Sequence, residues 1–399
     1  LIGNNIADDV HSLISPLNLG DNPIVVCDTA TNYVLGEKIA EILGVQKIVL
    51  ADRVKAHEKR VSEIREKSSG ATALIAVGSG TINDLCKYSS YLDGIPYIIF
   101  GTALSMNGYA SANATIETAD GYKKSFPAHL PKAIFFDTKI LANAPRRLTA
   151  SGFADTICRS TVQADWLLSH KLFGTDYNPK PFDWLIENEE KLINNSHKLN
   201  KGDEYSSQIL ADSLILSGLG MYVCGGSYPA SQGEHLIAHT MDMLHGHTMR
   251  PSFHGEQIAV TTLTMAKLQE FMLSTKPVIR TKQINEKGVL EFFGRDLGEH
   301  CLNELEKKYI TPEKAHKINE IIDNNWQNIR AEISAKMLPY EKLKRALELA
   351  QAPVNPEEIG WNRDQYRSAV KHAFLIRDRF TFLDLAYYSE NLENFLETI

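Results

Sequence analysis

The chain has 399 residues, 43% of them apolar and 23% charged. That is an ordinary globular mixture for two or three domains of roughly 100–200 residues each, and it excludes collagen, coiled coil and bulk disorder. Forty-two basic against 49 acidic residues leave a formal charge of −7, which gives no global field for nucleic acid but leaves room for a small anion held by a few local cations.

No apolar run reaches the roughly 18 residues that span a bilayer, so no membrane partner is expected. Cys27, Cys86, Cys158, Cys224 and Cys301 form no C-x-x-C pair, as is usual for reduced, packed thiols, and a cytoplasmic protein is expected. The chain opens Leu1-Ile2-Gly3 without a basic-then-apolar leader, so no signal peptide is expected.

From Pro23 to Thr138, short β-rich runs alternate with helical patterns. Strands are expected at Ile24 to Cys27, Lys47 to Leu50, Ala73 to Val77 and Tyr97 to Phe100, with helices starting near Thr31, Val54 and Ile82. This order predicts a parallel sheet wrapped by helices. Asn113 to Ala119 and Tyr122 to Ser125 read as a hairpin around Asp120-Gly121, and Ala133 to Phe136 as a further strand. After Pro145 the spacing turns helical, over Asp155 to His170, Ser206 to Val223, Gln257 to Leu273 and Glu313 to Ala335. The fold class predicted is α/β plus all-α: a Rossmann-like nucleotide-binding domain at 1–148 and a helical metal- and substrate-binding domain at 149–399, with a ligand in the cleft between them.

The third strand runs into Gly78-Ser79-Gly80-Thr81-Ile82-Asn83-Asp84. Two glycines and the amides of a helix start suit a pyrophosphate, and Ser79, Thr81 or Asn83 equally suit a helix cap. The loop is neither G-x-G-x-x-G, because Asn83 stands where the third glycine belongs, nor a Walker loop. Asp28, ending the first strand, is placed to accept from an adenosine ribose or to cap the next helix.

His235, His239, His245, His247 and His254 lie within 20 residues of one another, although the whole chain has only 13 histidines. His235 and His239, four apart, share a helix face. Two imidazoles and a carboxylate make a nitrogen and oxygen site for Zn²⁺, Fe²⁺, Ni²⁺ or Mn²⁺, but spacing alone leaves the choice of histidine pair open. Leu236 after the first His departs from the zinc-protease helix. His245 and His247 read as loop residues.

In order, G-S-G-T-I-N-D, then Thr102 to Ser111 (T-A-L-S-M-N-G-Y-A-S), Gly152-Phe153-Ala154-Asp155-Thr156, Ser227 to His235 (S-Y-P-A-S-Q-G-E-H) and His254-Gly255-Glu256-Gln257 resemble the sn-glycerol-1-phosphate dehydrogenase family. That family sits beside the glycerol dehydrogenases and dehydroquinate synthases among the metal-dependent alcohol dehydrogenases. The resemblance covers roughly Asp28 to Ala266. It implies that Gly78 to Asp84 hold the pyrophosphate of NAD(P)H and that Thr102, Ser105 and Ser111 line the nicotinamide side. It also implies that Asp155, His235 and His254 bind one divalent metal (Zn, Ni or Fe), that His239 faces substrate and relays a proton, and that Asn107 contacts substrate.

Two positions depart from the family pattern: Asn107 replaces an Asp, and Tyr228 replaces an Arg. Arg159, one turn beyond Asp155, is the expected substitute cation. The function implied is reversible reduction of dihydroxyacetone phosphate to sn-glycerol 1-phosphate, a step of phospholipid biosynthesis, by an enzyme that is a candidate homo-oligomer. The metal would polarise the ketone oxygen as hydride arrives across the cleft. Asp28 would disfavour a 2′-phosphate and so favour NADH. Three alternatives stay open: an unphosphorylated polyol as substrate, a dehydroquinate synthase-like lyase, and a non-haem iron site of one Asp and two His.

Overall fold

Six strands rich in Val, Ile and Phe pair in parallel: β1 (Ile2–Gly3), β2 (Pro23–Asp28), β3 (Lys47–Leu50), β4 (Ala73–Gly78), β5 (Tyr97–Gly101) and, after a separate hairpin, β8 (Ile134–Asp137). The hairpin is β6 (Asn113–Glu117) antiparallel to β7 (Lys123–Pro127). The structure is a computed structural model that describes residues 1–51, 54–119, 123–246 and 248–399. The expected Asp120-Gly121 turn, Tyr122 and His247 lie outside the described residues.

The sheet order is β1-β8-β5-β4-β2-β3. All residues of β4 and β5 are buried, which is why both read as unbroken apolar runs; β3, at the edge, alternates exposed and buried. The order reverses between β2 and β4, where β3 lies to one side and β5 to the other. This is the switch point at which a doubly wound sheet opens a crevice beyond its carboxyl ends. Register pairs Val26 with Ala76, so two residues further along, Asp28 and Gly78 stand side by side at that opening.

The expected elements are present with local changes. The pattern placed near Thr31 begins as a capped turn Thr29–Thr31, passes through a wide turn Asn32–Gly36 and becomes a helix at Glu37–Leu43. The helix expected near Val54 begins at Glu58, and the one expected near Ile82 spans Gly80–Asp93. The stretch Asp155 to His170 is divided at Cys158 into helices Arg146–Ile157 and Arg159–Phe173. Strand β1 was not anticipated; two residues carry no periodicity, and only pairing with β8 makes them a strand.

The chain forms a Rossmann-like parallel-sheet domain and a helical domain, but their compact units interleave along the sequence. One unit comprises Leu1–Thr156, Asp183–Gly225 and Leu349–Gln351; the other comprises Ile157–Phe182, Gly226–Glu348 and Ala352–Ile399. The sheet unit thus takes in helical residues beyond a division at 148/149. Long-range packing holds them there: Asn107 Nδ2 donates to Ser217 Oγ on helix Glu204–Val223 at 3.2 Å. In the second unit, helix Gly233–His245 packs on helix His254–Leu273 and on the short turn Ala373–Ile376.

Candidate active site

In the sheet unit, the turn after β4 is tight. A Cβ on Gly78 would lie 2.6 Å from Ile82 Cβ, and one on Gly80 2.6 Å from Met106 Cε, so a side chain at Gly78 would run into Ile82 and one at Gly80 would push Met106 aside. Ser79 is the N-cap of helix Gly80–Asp93 and makes no side-chain capping bond. The backbone N–H groups of Gly80, Thr81 and Ile82 therefore begin the helix ahead of Asn83, whose N–H is the first to find a partner, Ser79 O. Such amides, at the positive end of the helix dipole, are an anion site.

Three members of the expected phosphate loop turn inward instead. Ile82 is fully buried. Asn83 Nδ2 reaches Asp84 Oδ1 (3.1 Å) and Gly108 O (3.4 Å), and Asp84 Oδ2 accepts from Thr115 N at 3.1 Å. What the loop offers a ligand is its first-turn amides and the half-buried Ser79 and Thr81.

Lys87, fully buried one turn on, donates to Gly108 O (2.6 Å) and Asn113 O (3.1 Å) and lies 3.7 Å from Asp84. Burial pushes the Asp84 carboxyl up and the Lys87 amine down, and their mutual attraction opposes both shifts. Sequence reading missed Lys87; its only signal was the spacing of a Lys one turn after an Asp. The pair shapes the segment that carries the other expected cofactor and substrate residues.

In that segment, Thr102 N donates to Gly78 O (3.0 Å), Ser105 O accepts from Ser151 Oγ (3.0 Å) and Ser111 Oγ accepts from Asn113 N (3.1 Å). Asn107 N donates to Asp155 Oδ2 at 2.9 Å. Asp28 caps its turn: Oδ1 accepts from both Thr31 N and Thr31 Oγ1 at 2.8 Å.

In the helical unit, three imidazoles converge. His235 Nε2 and His254 Nε2 are 3.2 Å apart, and the His239 ring centre is 5.9 Å from that of His235 and 6.4 Å from that of His254. The i, i+4 spacing puts His235 and His239 on one face. Glu256 Oε2 accepts from Phe253 N at 2.8 Å, which fixes His254 at the start of its helix. Behind His235, Nδ1 is bonded to Glu234 Oε1 at 2.7 Å. One ligand atom each from Cys158, Glu234 and His235 lie within 4.8 Å of one another.

Two imidazole nitrogens facing each other, one ring oriented from behind by a carboxylate, is a donor set suited to a divalent metal. Sequence reading missed Glu234, although it directly precedes His235. His245, half-buried, accepts from Thr248 and Met249 N–H through its carbonyl.

Asp165, buried in helix Arg159–Phe173, holds this arrangement. Its Oδ2 accepts from Gly233 N (2.9 Å); its Oδ1 accepts from Phe382 N (3.0 Å) and Gln269 Nε2 (3.2 Å). A Cβ on Gly233 would come within 2.8 Å of that carboxylate and 2.4 Å of Met265 Cε, so a side chain there would displace both. Burial, followed by the Glu234 charge, pushes Asp165 up to about 8 against its three N–H donors. Arg159, the expected phosphate cation, is 5% exposed; its guanidinium bonds Gln163 Oε1 and lies 3.4 Å from Lys336 O.

A family model for iron-containing alcohol dehydrogenases matches residues 1–145. A glycerol-1-phosphate dehydrogenase (NAD(P)+) of Pyrococcus horikoshii is 34% identical over 273 residues, covering 67% of this chain and 77% of that relative. One of Bacillus velezensis is 28% identical over 386 residues, covering 92% and 85%. Among solved structures, glycerol dehydrogenase from Schizosaccharomyces pombe superposes with a TM-score of 0.65 at 16% identity, covering all of this chain and 89% of that one, which shows the shared fold. With these two histidines poised for an ion, the glycine turn at a switch point and a relative at this identity and coverage, the chain belongs to the glycerol-1-phosphate dehydrogenase family.

Proposed function

We propose that the protein catalyses the reversible NAD(P)H-linked reduction of dihydroxyacetone phosphate to sn-glycerol 1-phosphate. The observation that carries the reading is the His235–His254 pair, 3.2 Å between Nε2 atoms with Glu234 behind His235. Its relatives' names supply the reaction and the nicotinamide cofactor.

Asp155, His235 and His254 are assigned as the metal ligands, for Zn²⁺, Ni²⁺ or Fe²⁺. Bound there, a divalent cation supplies Lewis acidity to a ketone oxygen. The first-turn amides after Gly78, with Ser79 and Thr81, take the pyrophosphate, and Asp28 at the neighbouring strand end takes a ribose hydroxyl, favouring NADH. Thr102, Ser105 and Ser111 border the nicotinamide. Asn107 and Arg159 contact substrate.

His239 moves the proton. Arg377 Nη2 lies 3.4 Å from its Nδ1; a guanidinium only donates, so Nδ1 is the acceptor and the neutral ring carries its proton on Nε2. That Nε2–H hydrogen-bonds the substrate oxygen; as its proton passes to the nascent hydroxyl a solvent proton replaces it on the ring, and the reverse direction returns both.

The test is NADH consumption with dihydroxyacetone phosphate, dihydroxyacetone and glyceraldehyde phosphate after chelation and restoration of each metal. Dihydroxyacetone phosphate is expected to be preferred, and His254→Ala to lose bound metal and turnover together. Equal turnover of dihydroxyacetone would make the enzyme a polyol dehydrogenase. Absence of net NADH consumption would refute the redox reading.

A further inference from the structure

Arg377 and Arg379 stand two residues apart on the segment between the turn Ala373–Ile376 and helix Phe382–Tyr388. Neither was singled out by sequence, where the last stretch of chain showed only helical character. Their guanidinium groups do different work. Arg379 lies over the Tyr228 ring, 4.6 Å from its centre, and donates to Ser227 Oγ (2.9 Å) and to the Ser231 carbonyl. It therefore braces the loop that leads into Gly233 and His235. Arg377 instead reaches the proton-carrying histidine, and that single 3.4 Å approach to Nδ1 uses one of five N–H donors.

Among the described residues no carboxylate lies within 4.0 Å of either guanidinium. Asp378 and Glu304 act on Arg377 only from further away, and Glu304 is itself engaged by Lys307 and by Asp378 N. Burial and the Arg377 charge together press Arg379 down to about 10. A guanidinium does not give up its proton at neutral pH, so two neighbouring cations share a partly desolvated corner without a bound counter-charge.

The segment is also held rigid from below. Lys308 Nζ takes Phe374 O (2.5 Å) and Arg379 O (2.9 Å) and pairs with Asp384 at 2.6 Å, while Asp165 anchors Phe382 N. A cationic fork on a fixed backbone is the arrangement that recognises a phosphate.

We propose that Arg377 binds the phosphate of the substrate, a phosphate monoester of a three-carbon ketone or alcohol, and that Arg379 is a positioning residue. This rests on the function proposed above and names the group that selects its substrate. In a triose phosphate one methylene and one ester oxygen separate the carbonyl carbon from phosphorus. A cation held at Nδ1 of the histidine whose Nε2 serves the carbonyl oxygen therefore lies within a triose phosphate's length of that oxygen.

The experiment compares wild type, Arg377→Gln and Arg377→Lys in steady-state kinetics with dihydroxyacetone phosphate and dihydroxyacetone, and in thermal protection by inorganic phosphate. Loss of a charge-assisted pair is expected to raise KM for the phosphorylated ketone about tenfold or more relative to dihydroxyacetone. Kcat should fall less, phosphate protection should disappear, and Arg377→Lys should recover part of both. Wild-type KM and protection in Arg377→Gln overturn the assignment while leaving the dehydrogenase reading intact. Phosphate protection that depends on Arg377, in an enzyme that does not turn over dihydroxyacetone phosphate, supports the anion site and refutes the dehydrogenase. Should Arg377→Gln fail to fold, wild-type kinetics and protection in Arg377→Met overturn the assignment equally, and their loss with recovery in Arg377→Lys supports it.

Discussion

Lys87 and Lys308 are the buried lysines among the described residues, one in each unit, and both donate to two backbone carbonyls of a loop that carries site residues. Their counter-charges differ. Asp84 stands 3.7 Å from Lys87 on the same helix, and its oxygens also serve Asn83 and Thr115. Asp384 meets Lys308 at 2.6 Å from a helix 76 positions further along the chain. In the sheet unit the buried charge mainly shapes backbone. In the helical unit it is a close ion pair that joins distant segments, and the cations of the site ride on what it joins.

Lys308→Met is therefore expected to cost about 3–5 kcal/mol of stability in urea unfolding, because it strands Asp384, whereas Lys308→Met with Asp384→Leu should recover most of that loss. Lys87→Met, which leaves two carbonyls unserved, is expected to cost less, about 1–3 kcal/mol. A larger loss at Lys87 would reverse the contrast.

Glu234→Gln sharpens it on the functional side. In the proposed metal site the carboxylate behind His235 would raise ligand basicity, and its replacement should weaken metal affinity about 10–100-fold in chelator competition. Unchanged affinity would mean that Glu234 only fills space.

A further effect is expected on pH dependence. Asp165 sits near 8 in the folded chain and near 4 when unfolded, so between those values the folded state holds an extra proton. Its contribution is whole below about pH 4 and is lost as pH rises through 8, with a slope of at most about 1.4 kcal/mol per unit. Asp165→Asn should flatten the wild-type decline in stability between pH 5 and 8; parallel curves would show that Asp165 does not titrate there.

Local features were legible in advance. The parallel strands, the glycine turn and the shared face of His235 and His239 follow from periodicity and spacing within a few residues. Hidden features were those set by distance in the chain. β1 exists only by pairing with β8, residues 183–225 join the sheet unit through contacts such as Asn107 with Ser217, and Lys308 finds Asp384 by folding. Asn83 and Asp84 were expected at the pyrophosphate from the family resemblance; their side chains reach one another, Gly108 and Thr115. Arg377 had no local signature at all, since its meaning comes from His239, 138 positions earlier.

One carboxylate, Asp165, receives the opening N–H of helix Gly233–His245 and that of helix Phe382–Tyr388. His235 and His239 descend from the first of these helices, and the arginines lead into the second. Neither end can slide without dragging a shared hinge pin, so the metal and phosphate sites proposed above are mechanically geared. A substitution that loosens one should blur the selectivity of the other.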